Sequence, residues 1–184
     1  KIMIGIQDPL RDRGKAGNIL FSSPFGVHCK DYRNQRRECM MKFIEAIWKI
    51  AKERKIKVIF YLTDLIKFFC NGKDSSFKIL ENNKLTINKT FKPILCKEID
   101  IFKPNLMLCM GNKAIENLLG QKVAFWDKSH TYNGIPVLPS IHIAGTASHS
   151  WKDTLGEKPQ TATAKAEYIY REIEEMILLN SNDK

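Results

Sequence analysis

Four short apolar runs, separated by segments with helical spacing, constrain this chain more than any other feature. The runs are Ile2–Ile6, Lys57–Leu62, Asn105–Met110 and Pro136–His142, each of strand length. Arg33–Arg54 carries Met40, Phe43, Ile44, Ile47, Trp48 and Ala51 at intervals that fall on one helix face. Phe91–Phe102 repeats the pattern with Ile94, Leu95, Ile99 and Phe102, and Pro104 stops it. Gly111–Leu119 reads as a short helix closed by Gly120, and Thr161–Leu179 as a final one with Ala166, Ile169, Tyr170, Ile173 and Ile177 in register. Strands alternating with helices predict an α/β fold: a three-layer α/β/α sandwich around a central, mostly parallel four-stranded sheet. At 184 residues the chain is expected to be one domain over residues 1–184. Asn71–Asn88, polar and lysine-rich, reads as a hairpin or loop insertion.

In a parallel sheet, ligands bind beyond the carboxyl ends of the strands. Asp8, Asp64, Gly111 and His142 all lie at or just past those ends, which predicts one shared site. Asp8 sits in a turn held by Pro9, and Ile19-Leu20-Phe21-Ser22-Ser23-Pro24 ends an apolar run in an aromatic and two serines. A carboxylate and a histidine at two strand ends make a catalytic pair, and the aromatic offers a flat surface for a ring.

Thirty basic residues against twenty acidic give a net charge of +10. Such an excess attracts polyanions, nucleic acid foremost, although a lysine-biased composition serving solubility accounts for it too. No apolar run is long enough to span a bilayer and the N-terminus lacks a signal-peptide layout, so no membrane partner is expected. The chain starts at the foot of a strand without a methionine, so upstream residues are expected to be missing. Cys29, Cys39, Cys70, Cys96 and Cys109 are odd in number and have no C-x-x-C spacing. They point to buried free thiols in a reducing compartment, cytoplasm or nucleoid or nucleus, rather than to disulfides, zinc or an iron–sulfur cluster. His28, His130 and His149 lack metal spacing, so neither metal nor other cofactor is expected. The absence of G-x-G-x-x-G and of a Walker loop argues against an unrelated nucleotide-binding α/β enzyme.

Five segments then carry a family pattern in order: Gly5-Ile6-Gln7-Asp8-Pro9; Asn18-Ile19-Leu20-Phe21-Ser22-Ser23; Lys57–Lys67, reading KVIFYLTDLIK; Pro104–Ala114, a strand–glycine–helix element; and Pro139-Ser140-Ile141-His142-Ile143-Ala144. Together they resemble the uracil-DNA glycosylase superfamily over nearly the whole chain. The resemblance implies a monofunctional, metal-free DNA glycosylase that hydrolyses the N-glycosidic bond of a deaminated or damaged base, uracil or a relative. The base is extruded from single- or double-stranded DNA, and the protein acts as a monomer. By the same resemblance Asp8 positions water and opposes the positive sugar, and His142 donates a hydrogen bond to the departing base. Phe21 stacks on that base, which Gln7 and Asp64 also contact. Ser22, Ser23, Gly111, Lys113, Thr146, Ser148 and His149 face DNA, the last three from a loop over Gly145–Trp151.

The pattern has departures. One extra residue separates Gly5 from Gln7, and Leu10 lies where some members place a tyrosine that blocks thymine. Asp64 stands where many members have a base-reading asparagine. An ionised aspartate only accepts hydrogen bonds, so it suits N3–H of uracil or the exocyclic amine of cytosine or adenine, and meets O4 of uracil with the wrong group. Ile143 and Ala144 replace a proline and a serine. A module that binds DNA or a modified base without cleaving it is therefore the alternative. Each residue also has a plainer use. Asp8 before proline is a common turn residue, and Phe21 and His142 suit a core. Asp64 suits a cap for a helix starting at Leu65, Gly111 a tight turn, and Trp126 and Trp151 packing. Lys30, Arg33, Arg36 and Arg37 read either as a solvated helix start or as phosphate partners.

Overall fold

A computed structural model of the chain describes residues 1–6, 35–67, 90–143, 147–157 and 160–182. Its elements in chain order are β1 (Ile2–Ile6), α1 (Gln35–Glu53), β2 (Phe60–Asp64), α2 (Lys92–Phe102), β3 (Leu106–Met110), α3 (Asn112–Leu119), β4 (His130–Tyr132), β5 (Ile135–Ser140), α4 (Ser148–Leu155) and α5 (Ala162–Asn182). The expected insertion Asn71–Asn88 lies outside the described residues.

The sheet runs β2-β1-β3-β5-β4, with the first four strands parallel and β4 antiparallel to β5. Every residue of β1 and β3 is buried, as uninterrupted apolar runs covered on both faces should be. Alternation divides their side chains between two cores. Ile2, Ile4 and Ile6, with Leu106, Leu108 and Met110, pack against Met40, Phe43 and Ile47 of α1 and Ala166, Ile169 and Ile173 of α5. Met3, Met107 and Cys109 pack against Leu95 and Ile99 of α2 and Ala114, Ile115 and Leu118 of α3. Each fully buried aliphatic side chain contributes roughly 1.5–3 kcal/mol, so the two layers clamp the central strands firmly. The result is the expected α/β/α sandwich. Trp48, Ile94 and Ile177, assigned by spacing to buried stripes, instead lie at stripe margins, 46%, 45% and 49% exposed.

The sheet has five strands rather than four. Asn133 and Gly134, both at positive φ (49° and 75°), form the two-residue turn that folds β4 back on β5. The second strand is displaced to Phe60–Asp64 because Ile2 pairs with Phe60 and its amide donates to Ile59 O at 2.9 Å. β5 accommodates two prolines. Trp126 N donates to Pro139 O at 2.8 Å, so Pro139 directs its backbone polar side past the short β4. Pro136 precedes Val137, where pairing with β3 begins. Neither proline removes a ladder bond.

Candidate active site at the carboxyl edge of the sheet

Ile6 pairs with Asp64, Gly5 with Cys109 and Met110 with Ser140, so four parallel strands end nearly level. The chain leaves β1 toward β2 on one side and leaves β3 toward β5 on the other. The crevice where strand order reverses, at the exits of β1 and β3, is where open α/β sheets bind ligands. Gln7 and Asp8 follow β1 in sequence. Gln7, Asp8, Phe21, Ser22, Ser23 and Thr146 lie outside the described residues, as do Leu10, His28, Lys30, Arg33 and Ala144.

Asp64 closes β2. Leu65 N donates to Ile6 O at 2.7 Å, carrying the β1–β2 ladder one step past it. The register puts Asp64 on the face of Ile6, and it is only 6% exposed. Residues 65–67 form a bend and no helix, so the expectation that Asp64 caps a helix from Leu65 is corrected. Its neighbour Thr63 faces the other way. Thr63 Oγ1 donates to Glu98 Oε2 of α2 at 2.8 Å, and Lys67 Nζ donates to both, at 2.5 and 2.6 Å. Lys67 and Glu98 are 15% and 19% exposed, a largely buried ion pair that ties the β2 exit to α2. Burial, helped by Glu98, pushes the nearby Tyr61 phenol above its ordinary value.

The β3 exit is a sharp turn. Gly111 has φ 93° and ψ 145°, and its amide donates to Ser140 O at 2.8 Å. That amide is therefore engaged by β5. Lys113 is exposed, with its ammonium 3.7 Å from Glu116. A Cβ built on Gly111 would lie 3.6 Å from His142 Cβ and 3.9 Å from His142 Cδ2. Gly111 and His142, 31 positions apart in sequence, are thus neighbours across the space a Cβ would take, with His142 two residues past the end of β5.

The segment after His142 is held from behind. Trp151 Nε1 donates to His142 O at 2.9 Å, and Lys165 Nζ donates to Ile143 O at 2.9 Å. Cys39 Sγ reaches Ile143 O at 3.4 Å. Ser148, His149 and Trp151, expected in a loop, belong to α4 instead. Ser148 and His149 are exposed on its first turn, whereas Trp151 is fully buried against Trp126 and Tyr168. Trp151 therefore packs in the core, and Trp126, partly exposed, packs against it. Lys165 and Cys39 were missed as contributors. The signal for Lys165 was present: it lies four residues before Ile169 and eight before Ile173, a charge on the apolar stripe of α5. Burial lowers the Lys165 pKa, with the Cys39 sulfur opposing, and burial raises that of Cys39 against Lys165 and Lys42.

Among the described residues no group of three or more His, Cys, Asp or Glu is arranged to hold a metal ion. Of the thiols described, Cys109 is buried while Cys39 and Cys96 are only partly so, which corrects the expectation of uniformly buried cysteines. No described helix is long and apolar enough to cross a membrane.

A model of the uracil DNA glycosylase superfamily matches residues 1–174. The chain belongs to this superfamily. The match takes in all five motif segments and every residue of the strand-exit site. No curated protein matches the chain. The superfamily acts on DNA.

Proposed function

We propose that this superfamily member is a DNA glycosylase that acts as a monomer on an extruded deaminated or damaged base, uracil or a relative of it. The observation that carries the reading is the closeness of His142 to the turn at Gly111, at the carboxyl edge of the sheet where β1 also ends, two residues before Asp8 in sequence. In the reaction, water adds to C1′ and the C1′–N bond breaks with its electron pair leaving on the base. The proton shed by the water balances the base anion. Asp8 orients the water and opposes the positive charge that gathers on the sugar. His142 donates to the oxygen of the base on which negative charge grows; removing one such donor costs roughly 100–1,000-fold in rate. Extrusion costs roughly a few kcal/mol, and stacking on Phe21 returns about 1–3 kcal/mol. Gln7 and Asp64 contact the base. Ser22, Ser23, Lys113, Thr146, Ser148 and His149, with the turn at Gly111, face the DNA backbone.

The test is an abasic-site assay on labelled single- and double-stranded oligonucleotides carrying uracil, hypoxanthine, xanthine or the normal bases. Release of one base by the wild type, lost in Asp8→Asn, is the expected result. Release retained in Asp8→Asn overturns the assignment.

Two observations favour a second reading. Ile143, in place of the proline after the histidine, is 1% exposed and serves the core, and Asp64 replaces a donor with an acceptor. These changes suit a module that binds DNA or a modified base without cleaving it. Salt-sensitive binding with no abasic product on any substrate would establish that reading.

A further inference from the structure

The carbonyls of His142 and Ile143 are consecutive, and each accepts a hydrogen bond from a different helix. Trp151 of α4 holds the first at 2.9 Å and Lys165 of α5 holds the second, also at 2.9 Å. The two donors are themselves in contact, since the Lys165 ammonium lies 5.6 Å from the centre of the Trp151 ring. Trp151 is fully buried and Lys165 is 6% exposed. Lysine is seldom buried to that degree, because its ammonium must be stripped of water. A methionine would fill the same volume without that cost. The lysine therefore needs a local use, and the atom it serves belongs to the residue after His142.

We propose that Lys165 and Trp151 are positioning residues for His142. Together they fix two successive peptide planes, so the imidazole leaves the β5 exit in one orientation against Gly111. The inference rests on the reading of His142 as the donor to the departing base. Hydrogen bonds to the carbonyls of two successive peptide links, on either side of Ile143 Cα, leave the first of them, which His142 itself forms, little freedom to rotate. A donor aimed at a developing oxyanion must be placed to a fraction of an ångström, and a misplacement of about 1 Å costs up to roughly 100-fold. Cys39, at 3.4 Å from the same Ile143 oxygen, adds a weaker third contact from α1. The site histidine is thus referenced to three helices of the α1/α5 layer.

The test uses Lys165→Met, which keeps the volume and removes the donor, and Trp151→Phe, which keeps a ring and removes Nε1–H. Lys165→Arg is the conservative rescue. Turnover on the oligonucleotide panel is read beside the thermal midpoint and the His142 Cε1–Hε1 NMR signal. With four histidines in the chain, His142→Gln assigns that signal. The expected result is a fall in kcat of about 10–100-fold with KM nearly unchanged, and partial recovery in Lys165→Arg. The His142 signal should shift or broaden while those of His130 and His149 stay. A merely structural role would lower the midpoint and leave both kcat and the His142 signal in place, and that result overturns the proposal. Should Lys165→Met fail to fold, Trp151→Phe decides by the same readouts. Should the wild type release no base at all, the glycosylase reading fails separately, and the NMR comparison alone decides whether Lys165 and Trp151 orient His142.

Discussion

Replacing Gly111 by alanine tests the geometry of the site at its tightest point. Gly111 adopts φ 93° and ψ 145°, a backbone region that essentially only glycine occupies. The added methyl would meet His142 Cβ at 3.6 Å and Cδ2 at 3.9 Å, ordinary van der Waals contacts. The cost therefore comes from the backbone of residue 111 itself and not from a clash, and is about 1–3 kcal/mol. For a chain of this size each kcal/mol lowers the midpoint by about 2–4 °C, so the expected loss is roughly 2–12 °C. Gly120→Ala is the matched control. Gly120 sits at φ 74° and ψ 6° with nothing within 4 Å of a Cβ, so alanine there costs about 1–2 kcal/mol far from the strand exits. Both variants should lose stability in thermal and urea unfolding. Only Gly111→Ala should also lose base release, because relaxing its strain displaces either the Gly111–Ser140 hydrogen bond or His142. An unchanged midpoint in Gly111→Ala refutes the strain argument. Equal loss of release in Gly120→Ala refutes the link to His142.

Glu98→Gln should destabilise the fold by about 1–3 kcal/mol, since it leaves the largely buried Lys67 ammonium without its counter-charge; urea unfolding at neutral pH reads this, and an unmoved midpoint rejects it. Burial pushes the Cys109 thiol well above the ordinary value of 9.0. The native state thus keeps a proton that the unfolded state loses above pH 9, so stability falls as pH rises through that value. Cys109→Val should flatten this part of the pH profile, and native Cys109 should resist thiol reagents at pH 8 until the chain unfolds. Asp64→Asn restores a donor beside the acceptor and should shift release toward uracil by about 10-fold or more over other bases; an unchanged ratio means that Asp64 does not read the base.

The legible parts of the fold were those that bury unbroken apolar surface. β1 and β3 could be read almost to the residue because every side chain in them is buried. β4 was overlooked because three residues, His130–Tyr132, are too few to show alternation, although Asn133-Gly134 is a strong hairpin signal and sat beside them. α4 carries one buried residue, Trp151, and no side-chain N-cap, so only Gly156 at its C-terminal end announced it. It is a helix because the indole anchors it to the core and to His142 O. The strand ends at Asp64, Gly111 and His142 were legible as chemistry, since a polar residue or glycine ending an apolar run stands out. The support behind them was only half legible: the Lys165 charge on the α5 stripe stands out, but Lys165 and Cys39 lie far from Ile143 in sequence and meet it through its backbone carbonyl, which carries no side-chain pattern.

The β2 exit shows how much depends on register at such an edge. Thr63 and Asp64 are adjacent, yet alternation sends them to opposite faces of the sheet. Thr63 enters the Lys67–Glu98 network under α2, while Asp64 lies on the face of Ile6, the last residue of β1. A slip of one residue between β1 and β2 would exchange them, placing the hydroxyl toward the site and the carboxylate beside Glu98. Two like charges would then share one largely buried space, a costly arrangement. The ion pair with α2 therefore stabilises more than the local contact: it penalises the wrong register and keeps Asp64 on the side where a base would be read.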